Sequence, residues 1–189
     1  MFSKRFITSL LIEFAPISLF FVGFEVGGFF MGTKLLVLAT IASLIAAYVR
    51  DRRFAAFPFF VGTFVLLLGG ATIIADDPIW IQLEYTLYNA TLAGGLFGGL
   101  LLGRLVLKEL FSTLFLITDE GWRILTYRWI FWLCATALIN EFMRTLHPTD
   151  VWAYFRFSSA IISTLFGISQ IWLVRRERLP EASAWGFRL

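Results

Sequence analysis

Long apolar runs, each about the length of a membrane-crossing helix, constrain this chain more than any other feature. A transmembrane helix needs roughly 20 mostly apolar residues, within a range of about 17–25. Six runs meet that requirement: residues 6–26, 31–49, 54–75, 83–103, 125–146 and 151–174. The sequence therefore predicts an all-α integral membrane protein with six transmembrane helices. Because Glu13 and Pro16 interrupt the first run, five spans after a re-entrant first segment are the alternative.

Composition supports the membrane class. Hydrophobic residues make up 59% of the chain and charged residues only 15%, whereas an ordinary soluble domain is nearer half apolar and a quarter charged. The net charge of +3 comes from few charges. It indicates contact with anionic membrane lipids rather than with nucleic acid, for which the chain has no basic-aromatic motif.

The basic residues predict the orientation of the chain. Cytoplasmic loops carry an excess of lysine and arginine. With the N-terminus inside, only Lys34, Arg144 and Arg156 of the 16 lysines and arginines fall on the outer side. Five spans would place Lys4 and Arg5 outside, against this rule. We therefore expect both termini in the cytoplasm.

The end of the chain changes character after Val174, where the polar sequence "RRERLPEASAWGFRL" begins. We expect one helical membrane domain, residues 1–178, followed by a polar cytoplasmic tail, residues 179–189. The tail is expected to be loose beyond Pro180, since chain ends without partners are poorly ordered.

The longest connection, "RLVLKELFSTLFLITDEG", begins at Arg104 and has an amphipathic pattern. At about 100° per residue, one half of the helical wheel collects its polar side chains, which are Arg104, Lys108, Glu109, Ser112, Thr113 and Asp119. The opposite half collects most of its apolar side chains, which are Val106, Leu107, Leu110, Phe111, Leu114 and Ile117. Three apolar residues fall on the polar half: Leu105, Phe115 and Leu116. The pattern predicts an amphipathic interfacial helix between spans four and five; a helix packed on the end of the bundle is the alternative.

Glycines recur at four-residue spacing within "AGGLFGGLLLG", residues 93–103. A phosphate-binding loop would need a soluble strand-to-helix context, which is missing here. In lipid, small residues instead let a second helix approach closely. The candidate helix-packing residues are Gly94, Gly95, Gly98, Gly99 and Gly103, with the partner helix in this chain or in a second copy.

Charged residues inside membrane spans are costly, so each is a functional candidate. The candidate polar network consists of Glu13, Glu84, Asn140, Glu141, Arg144 and Arg156. Glu13 is the deepest carboxylate and could relay a proton or accept hydrogen bonds. The others map near the outer ends of spans, where Glu141 can pair with Arg144 and Arg156 can either snorkel or meet Glu141. We favour a structural network over a polar pocket facing the periplasm.

Sequence motifs give no reason to expect catalysis. The chain has one histidine and one cysteine, His147 and Cys134, and neither has a second metal ligand at fixed spacing. No set of residues suited to nucleophilic catalysis is evident. We therefore predict no catalytic, cofactor-binding or metal-binding residues and a protein that is not an enzyme.

The run "ITDEGWRILTYRWIFWLCATALINEFMRTLHPTDVWAYFRF" resembles the C-terminal half of the intracellular septation protein A family of bacterial inner-membrane-spanning proteins. Its motifs are "DEGWR", "RW", "NE", "TD" and "VWAYFRF". Earlier, "EFAP" and "LGGATIIADDPIWIQ" are similar to the family's start and to its acidic turn. The chain departs from the family where Gln82, Glu84 and Tyr85 replace its usual lysines and proline.

The resemblance implies a role in cell-envelope upkeep and septation at the bacterial inner membrane, together with division or wall-synthesis proteins. It supplies no catalytic residues. The first hypothesis is a non-enzymatic membrane scaffold whose partners, including lipids and a second copy of the chain, dock on the glycine face or the interfacial helix. The second is a small transporter or lipid-handling protein whose polar pocket joins Glu13 to the outer polar cluster and opens to the periplasm. An intramembrane enzyme is a third, weaker possibility.

Overall fold

The computed structural model describes the backbone of residues 4–51 and 56–187 and the side chains of residues 15–49 and 59–187. Helices dominate these ranges, and the all-α prediction is confirmed. The seven helices described are α1 Lys4–Asp51, α2 Ala56–Ala75, α3 Ile79–Leu101, α4 Val106–Phe111, α5 Asp119–Leu146, α6 Thr149–Ser169 and α7 Ile171–Arg176.

Helix α1 is two helical arms joined by a sharp break at Gly27 and Gly28. Gly28 has φ 77° and ψ −174°, a conformation that only glycine adopts readily. The arms approach closely, because a Cβ placed on Gly32 would lie 2.6 Å from the carbonyl oxygen of Phe20. The break therefore falls where the sequence predicted a turn between the first two apolar runs.

Two helical stretches in the described part of the chain are long and apolar enough to cross a membrane, Ala15–Val49 and Thr149–Arg176. The first contains the break in α1, and Phe59–Ala75 is a shorter apolar helix. The count of six spans and the orientation of the chain stay predictions.

The chain divides into two compact units, and helices α3, α5 and α6 contribute residues to both. The first unit comprises Met1–Tyr88 and Ile139–Ser158, and the second comprises Asn89–Leu138 and Ser159–Leu189. The core of the first unit consists of Phe20, Phe29, Leu36, Val65, Ile81, Trp152 and Ala153. The core of the second consists of Ala93, Leu96, Leu107, Ile117, Trp122, Leu125, Leu133, Leu173 and Val174. The predicted domain boundary at residue 178 stays a prediction.

The predicted amphipathic helix is confined to the six residues of α4. The chain after it turns and then pairs with the tail: Leu116 N–H donates to Gly186 O at 2.9 Å, and Leu179 N–H donates to Leu116 O at 3.0 Å. These bonds take backbone groups that a longer helix would need for itself. The helix in this connection is therefore shorter than the amphipathic pattern, which extends from Arg104 to Asp119.

The tail is also more ordered than the sequence indicated. Gly186 lies against α7, since a Cβ there would come within 2.6 Å of the Val174 side chain. The guanidinium of Arg175 stacks 4.3 Å from the centre of the Trp185 ring. The expectation of a loose tail beyond Pro180 is thus wrong through Phe187, because backbone pairing and ring stacking provide partners that composition does not reveal.

The close contact at Gly32 predicts that Gly32→Ala lowers the free energy of unfolding by about 1–3 kcal/mol, because the added methyl group meets backbone rather than a flexible side chain. The measurement is reversible unfolding of the purified protein in detergent micelles. Gly70→Ala is the matched control, since its added Cβ would meet no described atom within 4 Å. Equal stability of the two variants would contradict the tight packing of the two arms of α1.

Candidate functional site

Polar side chains from α3, α5 and α6 converge inside the first unit. Residues four apart share one face of a helix, and each of these helices carries such a pair. The pairs are Gln82 and Thr86 on α3, Asn140 and Arg144 on α5, and Trp152 and Arg156 on α6. Helical spacing therefore directs the polar groups of each helix toward one side.

Asn140 lies at the centre of this network and is fully buried. Its Nδ2 donates to the backbone oxygen of Gln82 at 2.8 Å and to Thr86 Oγ1 at 2.9 Å. Its Oδ1 accepts a hydrogen bond from Trp152 Nε1 at 2.9 Å. One amide group thus joins α5 to both α3 and α6, which gives a buried polar side chain the partners that it needs.

Thr86 extends the network to a charged pair. Its hydroxyl donates to Glu141 Oε1 at 2.5 Å. Arg144 Nε donates to the same oxygen at 2.9 Å, and Arg144 Nη2 donates to Glu141 Oε2. This two-pronged arrangement is the strong form of an arginine–carboxylate contact. Glu141 is therefore held by groups from two helices, α3 and α5.

Glu84 and Arg156 form a second, more deeply buried pair. Arg156 Nη2 lies 3.6 Å from Glu84 Oε2, and the Glu84 side chain is only 1% exposed. The guanidinium also stacks 4.2 Å from the centre of the Tyr85 ring. Glu84 Oε1 is buried without a hydrogen-bond partner among the side chains described. Burying an ion costs several kcal/mol, so each member of the pair depends on the other for its stability.

The structure brings five of the six candidate polar residues into the first unit: Glu84, Asn140, Glu141, Arg144 and Arg156. The side chain of Glu13 lies outside the described residues. The sequence placed Glu84 near water at the end of a span, whereas the structure buries it. Arg156 pairs with Glu84 and not with Glu141, the partner that the sequence suggested.

Sequence reasoning missed three members of the network: Gln82, Thr86 and Trp152. Trp152 is 1% exposed, and its Nε1 donates a hydrogen bond to Asn140 Oδ1. A usable signal was present on α3, where Gln82, Thr86 and Asn89 recur at helical spacing within an apolar run. Among the described residues, no group of three or more His, Cys, Asp and Glu side chains could hold a metal ion.

The candidate packing glycines of α3 fall into two groups. A Cβ on Gly94, Gly95 or Gly98 would meet no described atom within 4 Å. By contrast, a Cβ on Gly99 would lie 2.4 Å from Val106 Cγ2, so Gly99 already packs against α4. The first three form an open face, called here the glycine face.

Gly103 ends α3 rather than packing against a helix. It has φ +71°, and its N–H donates to Leu100 O at 3.0 Å while Arg104 N–H donates to Gly99 O at 2.8 Å. This pair of bonds is the Schellman arrangement that closes many helices with a left-handed glycine. The prediction that Gly103 belongs to the packing stripe is therefore corrected.

Comparison with known proteins gives one consistent result. The family model described as intracellular septation protein A matches residues 8–181. A protein of Afipia carboxidovorans named "Inner membrane-spanning protein YciB" is 32% identical over 93% of this chain and 88% of its own length. Proteins of the same name from a Bradyrhizobium species and Mesorhizobium japonicum are 33% and 34% identical, over 92% and 85% of this chain and 88% and 72% of their own lengths. No solved structure matches the chain.

The buried pair predicts that Arg156→Met lowers the free energy of unfolding by about 3–5 kcal/mol, because the change leaves Glu84 as an unpaired buried charge. The double variant, Glu84→Leu with Arg156→Met, should lower the free energy of unfolding by less than Arg156→Met alone. The measurement is reversible unfolding in detergent micelles.

The control is Arg123→Met, which removes an exposed contact of 3.7 Å with Glu120 and should change stability by less than about 1 kcal/mol. The mutual dependence of Glu84 and Arg156 would be refuted if the double variant lost as much free energy of unfolding as its two single variants lose together.

Proposed function

Because the chain belongs to the intracellular septation protein A family, we propose that it is a non-enzymatic protein that supports septation and envelope upkeep through contacts with other membrane proteins. It is a protein of the bacterial inner membrane, as the names of its relatives and its strongly apolar helices indicate. Its partners in this proposal are division or wall-synthesis proteins, a second copy of the chain, and membrane lipids.

The glycine face of α3 carries the proposal. Gly94 and Gly98 lie one helical turn apart, and added Cβ atoms there would meet nothing described within 4 Å. Lipid tails are as apolar as leucine, so helices in a membrane associate by close packing over small residues rather than by the hydrophobic effect. An open glycine face on an apolar helix therefore favours docking of a helix from a partner protein.

The polar network supports a structural role for the charges. Asn140 and Glu141 each use their polar atoms on neighbouring helices. Such a network holds the part of α3 that lies in the first unit in one rotation about the helix axis. The same groups would have to release these bonds in order to bind a substrate.

A small transporter or lipid-handling protein is the second candidate, and one observation favours it. Glu84 Oε1 is a buried carboxylate oxygen without a described hydrogen-bond partner. Buried carboxylates within membrane helices often mark ion or proton pathways. Transport requires that water reach this carboxylate, whereas a structural network does not.

Cysteine labelling distinguishes the two candidates. In a chain carrying Cys134→Ser, Thr86→Cys introduces a single thiol beside Asn140 and Glu141. The structural proposal predicts no reaction with a membrane-impermeant thiol reagent in intact cells, and Thr145→Cys, at an exposed position of α5, is the accessible control. Rapid labelling at residue 86, at a rate like that of residue 145, would favour the transporter.

Substitution on the glycine face tests the proposed function. Gly98→Leu should reduce co-purification of inner-membrane division proteins by about tenfold, a loss of about 1.4 kcal/mol of association energy. Cells whose natural gene is replaced by one that encodes Gly98→Leu should also be elongated. The readouts are quantitative mass spectrometry of co-purified proteins and measurement of cell length.

The matched control is Gly167→Leu on α6, because a Cβ there also meets no described atom within 4 Å. It should leave both readouts near the natural level at equal amounts of protein in the membrane. If Gly98→Leu has no effect on either readout, the proposed docking face is wrong.

A further inference from the structure

A cavity of about 420 Å³ opens in the second unit, and none of its lining residues belongs to the polar network or to the glycine face. Its volume lies within the range of about 300–1,000 Å³ that is usual for small-molecule sites. Its polar lining comes from Lys108, Ser112, Thr118 and Asp119, and apolar residues such as Ile117 and Leu179 complete the wall.

Hydrogen bonds to backbone groups hold the walls of this cavity in place. Thr118 caps α5, because its hydroxyl accepts a hydrogen bond from Gly121 N–H at 3.0 Å. Thr118 N–H donates to Glu177 O at 2.9 Å, and Leu179 N–H donates to Leu116 O at 3.0 Å. The tail is thus hydrogen-bonded to the segment that precedes α5, and these bonds hold Thr118 and Leu179 in the wall of the cavity.

One positive and one negative side chain line the cavity together. Lys108 Nζ lies 2.5 Å from Asp119 Oδ1, and the two side chains are 44% and 74% exposed. An exposed ion pair of this kind contributes at most about 1 kcal/mol. A ligand that offers a negative and a positive group can therefore replace the pair at little cost.

The segment that carries Lys108 and Ser112 also exposes apolar side chains. Leu110 and Leu114, which do not line the cavity, are 59% and 53% exposed. In a protein of the inner membrane, a segment with a lysine on one face and exposed leucines on the other is typical of a helix that lies at the lipid surface. A ligand with a charged head and an apolar body fits both parts of this site.

We propose that the cavity binds the headgroup of a zwitterionic phospholipid, one that carries a phosphate and a primary amine joined by a two-carbon link. Lys108 Nζ holds the phosphate, to which the Ser112 hydroxyl can also donate, and the Asp119 carboxylate holds the ammonium group. Phosphatidylglycerol, an anionic phospholipid, lacks the amine, so nothing in its headgroup would compensate the Asp119 carboxylate. The site does not depend on the glycine face, and either proposal can fail without the other.

Lipid titration of the purified full chain tests this site, with native mass spectrometry to count bound molecules. The probes are short-chain phosphatidylethanolamine, short-chain phosphatidylglycerol and free phosphoethanolamine. Phosphatidylethanolamine should bind about tenfold more tightly than phosphatidylglycerol, the difference expected for one charge-assisted contact. Lys108→Ala should weaken it about tenfold, and Asp119→Ala should abolish the preference between the two lipids.

Two further variants keep the test decisive. Arg104→Ala removes a neighbouring exposed ion pair, Arg104 with Glu109 at 2.9 Å, that does not line the cavity, and lipid binding should not change. Lys108→Asp with Asp119→Lys retains an ion pair and so protects the fold, but it reverses the polarity and should abolish the preference. Equal binding of the two lipids by the natural chain, a charge-swapped variant that behaves like it, or binding of free phosphoethanolamine as tight as that of the lipid would each overturn the proposal.

Discussion

Polar groups within apolar helices must find their partners inside the protein, because lipid offers no hydrogen bonds, and the first unit of this chain is arranged around that constraint. Asn140 satisfies it with three hydrogen bonds to α3 and α6. Glu84 satisfies it only in part, through Arg156. Each of these contacts forms only when two helices are rotated about their axes so that the paired groups face each other. The contacts of the buried polar groups therefore determine which faces of these helices point inward.

Helix α3 has both buried polar residues and exposed glycines. On α3, Gln82 and Glu84 are buried while Gly94 and Gly95 are exposed, so one helix carries polar contacts near its start and a bare, shallow surface farther along. Such a surface suits the close packing of a second helix. In the proposed function, the buried charges stabilise the helix arrangement and the glycine face is the surface on which a partner helix docks.

Local features of the structure were predictable from the sequence, and long-range pairings were not. Hydropathy located the helices, and the adjacent glycines Gly27 and Gly28 suit a break in α1 because Gly28 has a positive φ, which few other residues tolerate. The pairing of Glu84 with Arg156 depends on the rotation of α3 and α6 about their axes, which hydropathy does not determine. The tail pairs with residues 115–118 through backbone groups. Because every residue carries such groups, no side-chain pattern predicts this pairing.

Cysteine cross-linking along α3 in native membranes tests the central claim most directly. With Cys134 replaced by serine, single cysteines are placed in turn from Leu87 to Leu101 and treated with a short thiol cross-linker. A partner helix on the glycine face predicts that the yield of adducts peaks at Gly94 and Gly98 with a period near 3.6 residues. A yield that is uniform along the helix, or one that peaks on the opposite face, would contradict it.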